Sequence, residues 1–160
     1  MKNYFNQFAL GGVEVKNRFA LAPMATNYSS PDGLVTEQLK AYYEGRARGG
    51  IGLVVVEESC IDAPLGKGGA CQLYIDDDKQ VLGLSELASV IKKHGAKAAI
   101  QLHHAGRLAA TVNPGNLLSS GTSRLGTGSQ TPAWSIAVLG DRRAYQATAL
   151  SPMFMPGSSK

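Results

Sequence analysis

With 160 residues, 44% of them hydrophobic, the chain is long enough to fold as one ordinary domain around a core. No segment approaches the roughly 18 apolar residues of a membrane span, and Gln7, Gly11 and Glu14 interrupt the apolar start, so we expect neither a membrane-spanning nor a secretory segment. The net charge of +4 comes mainly from residues 113–160, which hold four basic side chains and one acidic one, so no basic face for nucleic acid is expected.

The first predicted elements are a hairpin and a strand. The segment FALGGVEVKNRF has strand-like flanks around Gly11–Gly12, a pair that favours a tight hairpin turn. Residues 18–24, RFALAPM, are predicted to form a strand that ends at a proline.

The next segment predicts a helix followed by a buried strand. Residues 36–50 carry Leu39, Tyr43 and Ala47 on one helical face, with Thr36 as a plausible N-cap and two glycines at the end. Residues 52–58, GLVVVEE, form a short continuous β-branched run, which is typical of a strand covered on both faces.

A second helix and a third strand follow. Residues 82–95 place apolar side chains on one stripe and lysines near the end, where the helix dipole favours them. Residues 97–104, KAAIQLHH, predict another strand. The order strand, helix, strand, helix, strand predicts a parallel α/β fold.

The pattern stops at about Val112. Residues 113–160 are rich in Ser, Thr, Gly and Pro, have no helical or strand period, and contain one segment, residues 134–140, that can form a strand. We therefore divide the chain into residues 1–112 and an atypical tail, residues 113–160, which is expected to be poorly ordered or of a different origin.

The ends of the three predicted strands carry the candidate chemistry. Ligands of parallel α/β proteins bind beyond the carboxyl ends of the strands. Here those ends are residues 23–28, 57–60 and 101–107, and each turns polar directly after an apolar run. The carboxamide of Gln101 both donates and accepts, which suits a planar ligand with alternating donors and acceptors.

Three motifs carry a family resemblance. KNRFALAPM, DGLVTEQLKAYYEGRARGGIGLVVVE and IQLHHAGR, in this order and spacing, resemble the Old Yellow Enzyme family of NADH:flavin oxidoreductases, which includes 2,4-dienoyl-CoA reductases and ene-reductases. The resemblance covers roughly residues 5–110. It implies the N-terminal portion of a (β/α)8 TIM barrel with FMN at the C-terminal mouth, the hairpin at the barrel bottom, NAD(P)H as electron donor, and an α,β-unsaturated carbonyl or enoyl substrate.

The resemblance also implies residue roles. It assigns FMN contacts to Ala22, Pro23, Met24, Ala25, Glu58 and Gln101. Gln101 would pair with the flavin pyrimidine edge, whereas Ala25 stands where relatives often carry Cys or Thr and cannot donate a side-chain hydrogen bond. Glu58 stands where relatives often carry a small residue, and Tyr28 corresponds to a substrate-side tyrosine after a one-residue shift.

Structural interpretations of the same residues remain open. Pro23 can simply end a strand, and Gln101 can cap a neighbouring loop. Adjacent residues of a strand face opposite sides, so at most one of His103 and His104 faces the mouth. Arg107 is expected to pair with a carboxylate, for which Glu57 is a candidate.

Two further segments carry no predicted chemistry. The acidic run of residues 76–78 is expected to be a solvated loop before the second helix. Residues 66–70, GKGGA, lack the spacing of a phosphate-binding loop and are expected to be ordinary loop.

Length limits the functional prediction. A (β/α)8 barrel takes about 250 residues, and three of its eight strands are identified here, which would leave one edge of the sheet unpaired. We expect a fragment, a frameshifted reading, a homo-oligomer or a part of a larger assembly. The catalytic residues are unknown, and the alternatives are a non-catalytic fragment or interaction module without flavin, or a different barrel enzyme.

The two cysteines indicate a cellular setting. Cys60 and Cys71 have neither metal-ligand spacing nor a disulfide framework, so we expect no metal and a reduced, cytoplasmic environment.

Overall fold

The computed structural model describes residues 3–63, 65–106 and 109, together with the backbone of residues 135–139. Arg107 lies outside the described residues, as do all tail positions except 135–139. Within the described part, no helix is long and apolar enough to cross a bilayer.

The N-terminal hairpin is confirmed. Strand β1 (Phe8–Leu10) pairs antiparallel with β2 (Val13–Val15), and Gly11 and Gly12 form the connection. Their φ angles of +55° and +86° lie in the left-handed region that a tight hairpin turn requires and that glycine adopts without strain.

Four strands form the main sheet, in the order β3-β4-β5-β6. They are β3 (Ala20–Leu21), β4 (Leu53–Cys60), β5 (Lys97–His103) and β6 (Ser135–Leu139). The first three run parallel, as predicted. β6 lies within residues 134–140, for which the sequence predicts a strand, and it runs antiparallel to β5. The prediction of an unpaired sheet edge is therefore wrong at β5.

Strand β3 is shorter than the predicted 18–24. The carbonyl of Phe19 accepts hydrogen bonds from the backbone nitrogens of Gly52 (3.0 Å) and Leu53 (3.2 Å), which fixes the start of the pairing. Pro23 has no N–H to donate to a ladder, so the regular pairing does not continue through it. The segment after Leu21 leaves the sheet and forms part of the candidate site.

Both predicted helices are present. Helix α1 (Glu37–Arg48) begins after Thr36, whose hydroxyl accepts a hydrogen bond from the Leu39 backbone nitrogen (3.2 Å). Helix α2 (Val81–Lys92) follows a single 3₁₀ turn, Asp78–Gln80.

The acidic run before α2 is exposed but is more than a solvated loop. The Asp77 carboxylate accepts a hydrogen bond from the Lys79 backbone nitrogen (2.9 Å), and the Gln80 side chain accepts one from the Asp77 nitrogen (2.7 Å). This reciprocal capping box starts the 3₁₀ turn.

The core lies between the two helices and one face of the sheet. Its buried members include Leu39, Tyr43, Ala47, Leu84, Leu87, Ile91, Val54, Val56, Ala98 and Ile100. Because side chains alternate along a strand, Val55, Ala99 and Gln101 lie on the opposite face, which we call the inner face. The inner face and the strand ends beside it hold the candidate site.

Candidate functional site

The carboxyl ends of β3, β4 and β5 meet at one edge of the sheet, because the three strands are parallel. This edge contains the predicted flavin contacts that follow β3 and those on β4 and β5. Among the described residues, no group of three His, Cys, Asp or Glu side chains lies close enough to hold a metal ion.

A β-bulge in β4 decides which glutamate faces the site. Val56 pairs with Ile100, but the next pair is Glu58 with Gln101, so Glu57 is the extra residue. Partners in a parallel register lie on the same face, which places Glu58 beside Gln101 on the inner face. Without the bulge, Glu57 would occupy this position.

Gln101 and Glu58 are both half-buried at this edge. Within the described part of the chain, the Gln101 carboxamide makes no side-chain hydrogen bond, and as an amide it is able both to donate and to accept. The structure thus brings together two of the predicted cofactor contacts, one able to donate and accept and one carrying negative charge.

The segment after β3 presents small and apolar surface beside them. Ala22 and Ala25 are exposed, Pro23 is half-buried, and 51% of Met24 is exposed. Asn27 adopts a left-handed φ of +57°, which turns the chain away after this segment. These residues form a largely exposed border at the same end of the sheet as Gln101.

Glu57 connects the segment after β3 to helix α1 through hydrogen bonds. The backbone nitrogen of Thr26 donates to the Glu57 carboxylate (3.0 Å), and the Glu57 backbone nitrogen donates to the Tyr43 hydroxyl (2.7 Å). Burial raises the pKa of the Glu57 carboxyl above its usual range, and burial likewise raises the pKa of Tyr43. Glu57 is therefore a structural residue, with Thr26 and Tyr43 as partners.

The two histidines of the third strand have different surroundings. His103 ends β5 and is buried, and its Nδ1 lies 2.9 Å from the Gln72 side-chain nitrogen. His104 follows the strand and is half-buried, with its Nε2 3.5 Å from Asp62 and its Nδ1 accepting from the Gly106 nitrogen (3.0 Å). Only His103 belongs to the candidate site, through its neighbour Glu58.

Tyr28 packs on the helix side of the sheet. Its ring packs edge-to-face on Tyr42 of α1, with the ring centroids 5.7 Å apart, and borders the core between helices and sheet. Its carbonyl accepts the Thr36 hydroxyl. A role toward substrate remains a prediction for this residue.

Sequence reasoning missed Gln72 and Tyr43 as parts of the site region. Gln72 lies in a loop 31 residues before His103, and no local pattern links the two. The prediction that Tyr43 is a core residue of α1 is confirmed. Its hydroxyl also accepts a hydrogen bond from the backbone nitrogen of Glu57 in the bulge.

The chain matches a known family. A family model described as "NADH:flavin oxidoreductase / NADH oxidase family" matches residues 3–131. An NADH oxidase from Thermoanaerobacter brockii is 47% identical over 105 residues, which cover 66% of this chain and 16% of that protein.

The chain is also similar to solved structures. A 2-naphthoyl-CoA reductase, solved with 2-naphthoyl-CoA, superposes with a TM-score of 0.65 and 31% identity, covering 68% of this chain and 16% of that one. An Old Yellow Enzyme from Pichia sp. AKU4542 superposes with a TM-score of 0.62 and 28% identity, covering 67% and 28%. The chain thus spans a small part of these proteins, and its parallel strands and helices are the N-terminal portion of a TIM barrel.

Proposed function

Because this chain belongs to the NADH:flavin oxidoreductase / NADH oxidase family, we propose that it forms the FMN-contacting, N-terminal portion of an NAD(P)H-dependent oxidoreductase. The substrate we propose is an α,β-unsaturated carbonyl or enoyl compound. FMN, when bound, supplies hydride transfer between the nicotinamide and the β-carbon of such a substrate. The residues of this chain bind and orient the cofactor and shape its electrostatic surroundings.

The observation that carries the proposal is the placement of Gln101. Its carboxamide lies on the inner face, half-buried, with no side-chain hydrogen bond among the described residues. A flavin pyrimidine edge alternates carbonyl oxygens with an N–H, so one carboxamide can donate and accept along it. Partial burial would shield these bonds from water and strengthen them.

We propose that the border after β3 contacts the planar ring system of the same ligand. Ala22, Pro23, Met24 and Ala25 offer backbone and small or apolar side chains, which suit contact with an aromatic ring system. Ala25 has no hydroxyl or thiol, so tuning of the flavin by a side-chain hydrogen bond at this position is absent.

We propose a cytoplasmic location, in keeping with the free thiols of Cys60 and Cys71.

FMN binding by the purified 160-residue chain tests the proposal. Titration with FMN should quench the flavin fluorescence to a saturable end point and give bound absorbance near 450 nm (roughly, for oxidised flavin). Sedimentation of the same sample measures whether the chain forms a homo-oligomer. A chain that binds no FMN at high FMN concentration would contradict the proposal and favour the non-catalytic fragment or interaction module.

A further inference from the structure

We propose that Gln72 and His103 hold the Glu58 carboxylate beside Gln101, where its charge lowers the reduction potential of the bound flavin. The inference rests on the proposed function and concerns a different property, the tuning of the cofactor. In this arrangement Gln72 and His103 are positioning residues, and Glu58 is the group that acts on the cofactor.

The first step is the position of Glu58. The bulge at Glu57 shifts the register so that Glu58 pairs with Gln101. Neighbouring strands lie about 4.8 Å apart, so a ligand that hydrogen-bonds to Gln101 also comes within electrostatic reach of the Glu58 carboxylate. The Glu58 side chain is 28% exposed, which leaves it only partly screened by water.

The second step is the orientation of the Gln72 amide. The Gly68 backbone nitrogen donates to Gln72 Oε1 (2.7 Å), which fixes the oxygen on that side. Gln72 Nε2 then donates to the Glu58 carbonyl (3.2 Å) and lies 2.9 Å from His103 Nδ1. Because an amide nitrogen can only donate, His103 Nδ1 accepts, and the ring proton of the neutral histidine is on Nε2.

The third step is what His103 does with that proton. His103 Nε2 lies 3.7 Å from Glu58 Oε2, within electrostatic range although longer than a hydrogen bond. The ring is buried at the end of β5, and a Cβ added at Gly68 would lie 3.3 Å from its Cε1 atom. The imidazole is therefore closely packed, with its N–H side directed toward the carboxylate.

The last step is the direction in which the Glu58 charge shifts the reduction potential of bound FMN. Reduction adds electrons to the cofactor, and a fixed carboxylate beside it disfavours the added negative charge. Glu58→Gln should therefore raise the ratio of reduced to oxidised FMN at a fixed potential. We expect an increase of about tenfold, which corresponds to about 30 mV for a two-electron couple.

One arm of the test needs no FMN. Nitrogen NMR of the ¹⁵N-labelled 160-residue chain, recorded at a pH well above the ordinary imidazole range, reports the His103 tautomer. We expect Nε2–H in the native chain and Nδ1–H in Gln72→Glu, since a carboxylate in place of the amide accepts rather than donates. An Nδ1–H tautomer in the native chain overturns the positioning role of Gln72.

The other arm measures the midpoint potential of bound FMN by spectroelectrochemistry. Glu58→Gln should shift it upward, with Glu58→Ala as a second variant and the exposed Glu86→Gln on α2 as a control that leaves it unchanged. FMN binding with an unchanged potential in both Glu58 variants overturns this inference alone. Absence of FMN binding in every variant, including the native chain, overturns the proposed function and this inference with it.

Discussion

The Tyr43 hydroxyl lies 2.7 Å from the backbone nitrogen of Glu57 and accepts its hydrogen bond. Glu57 is the extra residue of the β4 bulge, so this nitrogen has no place in the regular ladder with β5. Helix α1 thus supplies the hydrogen bond that the irregular strand cannot supply. Since the bulge turns Glu58 toward Gln101, Tyr43 supports the candidate site from the opposite face of the sheet.

Tyr43→Phe tests this support. The substitution keeps the buried ring and leaves the Glu57 N–H without its partner, so we expect the free energy of unfolding to fall by about 1–3 kcal/mol. Urea denaturation measures it. Tyr42→Phe is the matched control on the same helix, because the Tyr42 hydroxyl makes no hydrogen bond among the described residues, and equal losses in the two variants would contradict the prediction.

The raised pKa of Glu57 predicts a pH dependence of stability. A carboxyl whose pKa is higher in the folded state stabilises the fold fully below its usual pKa of 4.5, and this contribution is lost as the pH rises through the folded-state pKa. Glu57→Gln removes the titration. We therefore expect the native chain to lose stability relative to Glu57→Gln as the pH rises above 4.5.

Urea titrations at several pH values measure this difference, and Glu44→Gln provides a control of opposite sign. A hydrogen bond to His94 lowers the pKa of Glu44, so the native chain should gain stability relative to that variant as the pH rises toward 4.5. A difference between native chain and Glu57→Gln that does not vary with pH would refute the prediction for Glu57.

Gln101→Ala should weaken FMN binding. Losing the carboxamide leaves polar groups of the bound ligand without a partner, which costs about 1–3 kcal/mol, or roughly 5- to 150-fold in Kd. Fluorescence titration measures it, with Gln38→Ala, an exposed position on α1, as the control for the same chemical change. An unchanged Kd for Gln101→Ala would remove this residue from the site.

The regular parts of the fold could be predicted because each has a local cause. Thr36 caps α1 through its own hydroxyl, and Leu39, Tyr43 and Ala47 recur at helical spacing. Gly11 and Gly12 adopt the φ angles that a tight hairpin turn needs. These interactions join residues close in the chain, so their signals are visible in a short window of sequence.

The arrangement of the site depends on contacts between distant residues. The bulge lies at Glu57, directly after the apolar run of β4, and no change in the hydrophobic pattern of that run marks the one-residue shift in register. The pairing of Gln72 with His103 joins a loop to a strand 31 residues away. Gln101 can be predicted as a site residue, since a polar residue directly after an apolar run is visible in the sequence. The position of Glu58 beside it depends on the bulge and is not visible there.

The composition of the tail makes a separate prediction. Residues 113–160 hold one acidic side chain, whereas residues 1–112 hold 11. The match to the family model nevertheless continues into the tail as far as residue 131. We predict that the tail is not native barrel sequence and that the 160-residue chain alone does not turn over substrate. Translating the coding DNA in the other two frames beyond codon 108 should recover further barrel strands. If neither frame does so and the purified chain oxidises NAD(P)H, the prediction is wrong.

Strand β6 has a consequence for assembly. Its five residues pair with β5 from Ala98 to Leu102, so they occupy the backbone edge at which a closing barrel would add its next parallel strand. One edge can hold only one partner, and a segment or a second chain that offers a parallel strand must first displace Ser135–Leu139. Association at β5 thus requires one strand to replace another. While β6 is paired, it covers the β5 backbone edge, to which strands of other chains would otherwise bind.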